Sequence, residues 1–312
     1  MKKTEVSLTP EEIDAIRQEL AEHSKAHGVT LRDLKRAIGR SETTFSQFLS
    51  GQYRGNNVDL AIKVRAYLDL EREKAAAPLP EGGFVMTDAA HRVFETARFC
   101  HSYGQIGVLT GLAGLGKTES AKEYTRRNPS TIMIEVDPGV TTGVLFSKIH
   151  QALGETGKGR LHDLFEDIVA LLDKSQRLLI LDEAEHLPYR GLEMLRRLHD
   201  KCQIGLLLIG MPRLLNNIVG RVEEYGQLYS RVGIAVSVEA LTEDDSLALV
   251  NSILPQFVEH AKTLHDVTAG NARALTKLLP QVQRTARING RQISAELIRE
   301  TGRRMLILRA TR

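Results

Sequence analysis

Residues 111–118 read Gly-Leu-Ala-Gly-Leu-Gly-Lys-Thr, a complete G-x-x-x-x-G-K-T phosphate loop. Such a loop needs a buried strand before it and a helix after it. Both are present: an apolar run from Ile106 to Leu109 leads in, and a helical segment from Lys117 through Tyr124 leads out. Gly111, Gly114 and Gly116, with Leu115 between the last two, let successive backbone N–H groups turn inward around a polyphosphate. The new helix points its positive end at the same anion. Lys117 is placed to reach the β- and γ-phosphates, Thr118 to ligate Mg²⁺, and Glu119 completes the expected nucleotide-contacting set. A Gly-rich turn without a ligand explains neither the Lys-Thr pair nor the strand–loop–helix context.

A second motif turns binding toward hydrolysis. Leu178-Leu179-Ile180-Leu181-Asp182-Glu183 is an apolar strand ending in two carboxylates. At the C-terminal edge of a parallel sheet, Asp182 is expected to hold the Mg²⁺ shell beside the phosphate loop. Glu183 is then placed to polarise the attacking water as general base. A lone carboxylate capping a strand is common. An adjacent pair about sixty residues after a phosphate loop fits two intervening βα units better. The Asp-Glu pair, and the lack of an Asn-Lys-x-Asp base-reading motif, favour ATP over GTP.

The 312-residue chain suits two or three domains with a sizeable core. A net charge of +3 and a pI near 8.8 are too mild to demand a nucleic-acid partner. Only two cysteines occur, Cys100 and Cys202, far apart, which excludes a zinc finger or disulfide framework and suits a reducing cytoplasm. The start, Met-Lys-Lys-Thr-Glu-Val, has no apolar leader, and no run reaches membrane-spanning length, so a cytoplasmic, non-membrane protein is expected. Trp is absent and aromatics are few, which argues against a stacking platform for single-stranded bases.

The patterning divides the chain into an all-α block over 1–72, a Pro/Gly-containing linker over 73–87, an α/β block over 88–240 and a helical block over 241–312. In the first block, Thr9-Pro10-Glu11-Glu12 resembles a capping box ahead of an Ile13, Ile16, Leu20 stripe. Leu31, Leu34 and Ile38 make a second helix that stops at Gly39. Ser41 caps a third with Phe45, Phe48 and Leu49 inward, and Leu60, Val64, Tyr67 and Leu68 make a fourth. In the α/β block the expected strands are 105–110, 131–136, 177–182, 205–210 and 233–238, a pattern for a parallel sheet covered on both faces. Thr242-Glu243-Asp244-Asp245 then opens the final helices with another capping box.

Two helices around Gly39 suggest a helix-turn-helix DNA-binding domain. Its third helix would expose Glu42, Thr43, Ser46 and Gln47, with Thr43, Thr44, Ser46 and Gln47 as candidate groove contacts. Arg32, Lys35, Arg36, Arg40 and Arg54 are placed to meet phosphates. A small bundle used for packing is the alternative. The exposed face has no Arg or Asn for bidentate base contacts, so sequence-specific reading is not implied. From Asn271 onward ten basic residues face only two acidic ones, Glu296 and Glu300. That excess, including Arg284 and Arg287, reads as a surface for duplex phosphates. Arg231, in Tyr229-Ser230-Arg231-Val232, is a candidate to act on a neighbouring subunit's γ-phosphate, with Arg221 as a second candidate. Arg273, in Gly270-Asn271-Ala272-Arg273, is a candidate nucleotide contact from a lid. His186 reads as a local hydrogen-bonding residue rather than a metal ligand.

With these residues together, the chain resembles an AAA+ ATPase and, more narrowly, the phage Mu B type of transposition protein, ATP-dependent activators of target DNA. The matching phrases are Gly111 to Thr118, Asp182-Glu183-Ala184-Glu185-His186-Leu187 and Leu228-Tyr229-Ser230-Arg231. The resemblance implies an α/β P-loop AAA+ core with a parallel sheet, a small helix-turn-helix domain before it and a helical lid after it. It also implies ATP and Mg²⁺ as cofactors and double-stranded DNA and a transposase as partners. Further implied are an ATP-dependent homo-oligomeric helical filament on DNA, and hydrolysis, promoted by the transposase, that clears the DNA and limits self-insertion. One departure stands out: after the strand 205–210, where such proteins place a polar sensor residue, this chain has Met211. Two other readings compete, an AAA+ ATPase of replication initiation or secretion and a nucleotide-gated DNA-binding regulator.

Overall fold

The computed structural model describes residues 8–76, 82–219 and 230–305. It contains two compact units, Met1–Leu79 and Pro80–Arg312. The first is built from α1 (Pro10–His27), α2 (Leu31–Ile38), α3 (Glu42–Leu49) and α4 (Asn57–Ala76). Local chemistry sets the ends of these helices. The Thr9 hydroxyl accepts from the Glu12 N–H while the Glu12 carboxylate accepts from the Thr9 N–H, a reciprocal cap with Pro10 in the first turn. Thr30 and Asp33 repeat this device at α2, and Ser41 caps α3. Each such cap stabilises its helix by about 1 kcal/mol. Ile13, Ile16, Leu20, Leu34, Phe45, Phe48, Leu60, Val64 and Leu68 form the unit's core, so the expected stripes do meet. α4 runs through Ala76, past the expected start of the linker, because residues 73–76 are good helix formers and Pro78 comes only later.

The second unit holds a five-stranded parallel sheet: β1 (Ile106–Gly111), β2 (Thr131–Glu135), β3 (Leu178–Asp182), β4 (Gly205–Gly210) and β5 (Val232–Val238), in the order β2-β3-β4-β1-β5. All five lie within one residue of their expected limits. β1, β3 and β4 are buried at every position, which is why they read as continuous apolar runs. Alternate residues serve opposite layers. Val108, Leu179, Leu181, Leu206 and Leu208 pack on α7 (Thr142–Ala152), α8 (Leu161–Leu172) and α9 (Tyr189–Cys202). Leu109, Leu178, Ile180, Leu207 and Ile209 pack on α5 (Asp88–Tyr103) and α6 (Lys117–Arg127). β5, at the edge, alternates half-buried with exposed positions, a departure from the expectation of full cover.

α5 opens the expected α/β block ahead of the first expected strand, and its signal is present in the sequence. Thr87 caps it, and Ala89, Ala90, Val93, Phe94, Ala97 and Cys100 repeat at helical spacing. After α10 (Arg213–Val219) and β5 the chain forms α11 (Glu243–Ile253), α12 (Ala261–Thr268), α13 (Ala272–Ile288) and α14 (Ala295–Arg304) around a core that includes Phe257, Leu264, Leu275 and Leu278. The Thr242–Asp245 capping box is present at α11. The end of the expected linker and the residue after it lie against this helix: the Ser252 hydroxyl donates to the Gly83 carbonyl and the Asp88 N–H donates to the Asp245 carboxylate. Among the described residues no helix is long and apolar enough to cross a membrane.

Both cysteines are buried and unpaired. Burial pushes the Cys100 thiol up to about 12 and the Cys202 thiol up to about 11. The native protein at pH 8 is therefore expected to resist maleimide labelling, with both thiols reacting once denaturant opens the fold; fast labelling of the native chain counts against this packing. Because the folded values are raised, the neutral thiols' contribution to stability is complete below about pH 8.5 and declines as pH rises toward the folded values.

Candidate nucleotide site

The phosphate loop follows β1 at the C-terminal edge of the sheet. Gly114 and Gly116 have φ of +82° and +92°, conformations that L side chains rarely adopt. Four successive carbonyls of the loop are hydrogen-bonded. The Lys117 ammonium donates to the Gly111 oxygen at 2.7 Å and to the Leu112 oxygen at 2.8 Å. The Asn271 side chain donates to the Ala113 oxygen at 2.9 Å, and the Arg273 backbone N–H to the Gly114 oxygen at 3.0 Å. The side of the loop carrying the N–H groups is thereby left to an anion.

Sheet order sets the second half of the site. β3 lies two strands from β1, with β4 between, and the ends of β3 and β1 meet above β4. The Thr118 hydroxyl donates to Asp182 Oδ2 at 2.6 Å, and Asp182 is buried. A hydroxyl and a carboxylate in contact are hard oxygen donors that fit Mg²⁺. Lys117 is also buried; burial lowers the pKa of its ammonium, the Asp182 and Glu185 carboxylates oppose that shift, and the Arg273 guanidinium adds to it. Arg273 is tied to the loop through its backbone, and its Cβ would lie 3.0 Å from a Cβ on Gly114. Leu115 is buried beneath the loop, whereas Glu119 points away and pairs with Lys122 at 2.9 Å.

Glu183 has φ of +54°, a left-handed conformation that costs a non-glycine residue of order 1 kcal/mol and recurs at functional sites. Its N–H donates to Asp182 Oδ1, and its carboxylate lies 3.9 Å from His186 Nε2. His186 also contacts Arg213 at 3.2 Å, a local role as expected. At the position after β4, the Met211 backbone N–H donates to Glu185 Oε2 at 3.1 Å, and Arg213 reaches the same carboxylate at 3.4 Å. Gly210 makes room for this group, since a Cβ there would lie 2.3 Å from Glu185 Oε2. The sequence reading missed Glu185, because nothing in the spacing marks it as buried.

Arg231 lies at the opposite end of the sheet. Val232 pairs in register with Ile106, at the start of β1, and Arg231 donates to Asp200 at 3.2 Å. Arg231 therefore does not reach the nucleotide site of its own chain. Arg221 and the Leu228-Tyr229 part of its motif lie outside the described residues. In the N-terminal unit Glu42, Thr43, Ser46 and Gln47 are exposed on α3, as is Arg54 nearby. Thr44 is half-buried, with its hydroxyl on Ser41, and Arg40 pairs with Asp59 at 2.9 Å, so both serve the local fold. Arg284 and Arg287 are exposed on α13.

Lys117→Ala removes the ammonium that both ties the loop and faces the anion. It is expected to lower ATP affinity by at least about a hundredfold, in line with the loss of a charged contact and a loop tie together. Titration with a fluorescent ATP analogue checks this, and unchanged affinity would place the nucleotide elsewhere.

An AAA domain family matches residues 100–218. The chain is 27% identical over 266 residues to the Mu-like prophage FluMu DNA transposition protein B of Haemophilus influenzae, covering 83% of this chain and 93% of that one. It is 28% identical over 283 residues to the ATP-dependent target DNA activator B of Escherichia phage Mu, covering 88% of this chain and 90% of that one. Among solved structures, the ORC2 protein of Aeropyrum pernix in its ADPNP–ADP complexes aligns with a TM-score of 0.52 at 19% identity, covering 72% of this chain and 69% of that one, which supports the fold alone. Residues 100–218 thus match the AAA domain family and fold as α/β, in a chain that resembles the B transposition proteins of Mu-like phages along most of its length.

Proposed function

We propose that this protein is an ATPase of DNA transposition, which assembles on target DNA with ATP and there recruits and stimulates a transposase. The observation that carries the reading is one site holding a phosphate loop, a buried Lys117 ammonium on that loop and a Thr118–Asp182 pair, in a chain similar over 88% of its length to a protein named for ATP-dependent activation of target DNA. That similarity spans the N-terminal helices and the lid as well as the ATPase core.

In this reading the loop amides, Lys117 and Arg273 bind the triphosphate, and Thr118 with Asp182 hold Mg²⁺. When bound, Mg²⁺ neutralises phosphate charge. Glu183 takes the proton of the attacking water, its left-handed backbone turning the carboxylate out of the strand direction. Arg231 acts in trans, on the nucleotide of a neighbouring protomer, since its place at the far end of the sheet excludes a role in its own site. The exposed polar face of α3 and the arginines of α13 contact DNA without regard to sequence. Hydrolysis then releases the assembly, which gives target selection and immunity.

Glu183→Gln is expected to bind ATP as wild type does, to lose at least about a hundredfold in turnover, and to stay assembled on DNA. Electron microscopy on random-sequence duplex with ATP, ADP or no nucleotide tests the assembly itself: filaments are expected with ATP alone. The log–log salt dependence of binding is expected to be several units, since each phosphate contact contributes about 0.9. One preferred DNA site with no filament would favour a nucleotide-gated regulator instead.

Arg231→Ala is expected to leave monomer ATP binding intact and to slow hydrolysis only in the assembled state. Mixing it with Lys117→Ala should restore part of the activity, as each protomer supplies what the other lacks. No rescue at any mixing ratio would remove Arg231 from the trans role.

A further inference from the structure

Asn271 lies outside the phosphate-loop motif, yet its single amide side chain joins two elements. Its Oδ1 accepts from the Ala274 N–H at 3.0 Å and so caps α13. Its Nδ2 donates to the Ala113 oxygen of the loop at 2.9 Å. Two residues on, the Arg273 N–H, one of the first-turn donors that a helix leaves unmet, is taken up by the Gly114 oxygen at 3.0 Å. The contact has no slack, because a Cβ on Gly114 would lie 2.5 Å from Asn271 Oδ1 and 2.9 Å from its Nδ2. Behind it, the Gly270 oxygen accepts from the Leu241 N–H at 2.9 Å, which fixes the same turn to the junction between β5 and the lid.

We propose that Asn271 is a positioning residue of the nucleotide site: a strut that makes the phosphate loop and the first turn of α13 one mechanical piece, so that order imposed on the loop by bound ATP reaches the lid. The inference rests on the loop binding ATP. The reason the strut matters most in the loaded state lies in the other two ties. The Lys117 ammonium has three N–H donors, two of them on the Gly111 and Leu112 carbonyls, so phosphate oxygens compete for those donors, whereas the bonds from Asn271 and the Arg273 backbone do not draw on them. Coupling of this kind is reciprocal, so a fixed lid turn also favours the nucleotide-ready loop.

The test separates the two jobs of the side chain. Asn271→Ser keeps a neutral N-cap but is too short to reach Ala113, whereas Asn271→Asp keeps an equally good cap at the same length and has no donor. Each is made in the full chain and also in an Arg273→Ala background, where the guanidinium's own contact with phosphate cannot mask the strut. Amide hydrogen exchange is followed in residues 112–118 and 272–279 with and without ATP.

In Arg273→Ala alone, ATP is expected to protect both segments. In the Arg273→Ala/Asn271→Ser chain it is expected to protect the loop while the added protection of 272–279 falls severalfold, the backbone bond from residue 273 to Gly114 being the tie that is left. ATP affinity in Asn271→Ser is expected to fall about fivefold, the worth of one hydrogen bond of about 1 kcal/mol. If Asn271→Ser frays α13 before ATP is added, the aspartate variant carries the same comparison. ATP protection of 272–279 that is undiminished in both the serine and the aspartate variant overturns the strut. No protection of 112–118 in the wild-type chain would instead defeat the nucleotide reading on which it rests.

Discussion

The tethering of four successive loop carbonyls is the constraint on which the rest of the site depends. A peptide unit has two polar ends, and fixing its carbonyl decides where its N–H points. Lys117 holds the first two carbonyls, and the lid holds the next two through Asn271 and Arg273. The amide-lined concavity is therefore shared work between the loop and a helix more than 150 residues later in the chain. Two left-handed glycines make that path available to the backbone.

Charge balance around the loop follows from the same geometry. Lys117 is buried with Arg273 near it, and Asp182 and Glu185 offset them. Of the two acids, Asp182 accepts from Thr118, while Glu185 is held by the Met211 N–H and Arg213. The apolar side chain at position 211 is thus accompanied by a backbone contact that fixes a neighbouring carboxylate. Gly210 is required for this, because any side chain there would occupy the space of the carboxylate.

Away from the nucleotide, the structure sorts the basic residues into two groups. Arg40 and Lys63 share Asp59, Lys35 faces Glu42, and Arg291 and Arg304 share Glu300, so these charges brace helices. Exposed pairs of this kind contribute little to stability, typically below about 1 kcal/mol each. Arg40 is held in such a pair and the Thr44 hydroxyl lies on Ser41, whereas Arg54, Ser46 and Gln47 are exposed.

The sequence by itself determined the local parts. Continuous apolar runs identified β1, β3 and β4, since a strand buried on both faces has no polar alternation, and the capping residues Thr9, Ser41 and Thr242 marked helix starts because their hydroxyls satisfy first-turn N–H groups. The loop and the Asp182-Glu183 pair were legible for the same reason: each is a contiguous string whose chemistry depends on neighbouring residues. Contacts between distant parts were not legible. That Asn271 meets Ala113, that Met211 and Arg213 converge on Glu185, and that Arg231 lies at the end of the sheet away from its own loop follow from strand order and lid placement. Tertiary packing decided these, because a hydrogen bond between residues far apart in the chain leaves no periodicity or spacing to be read.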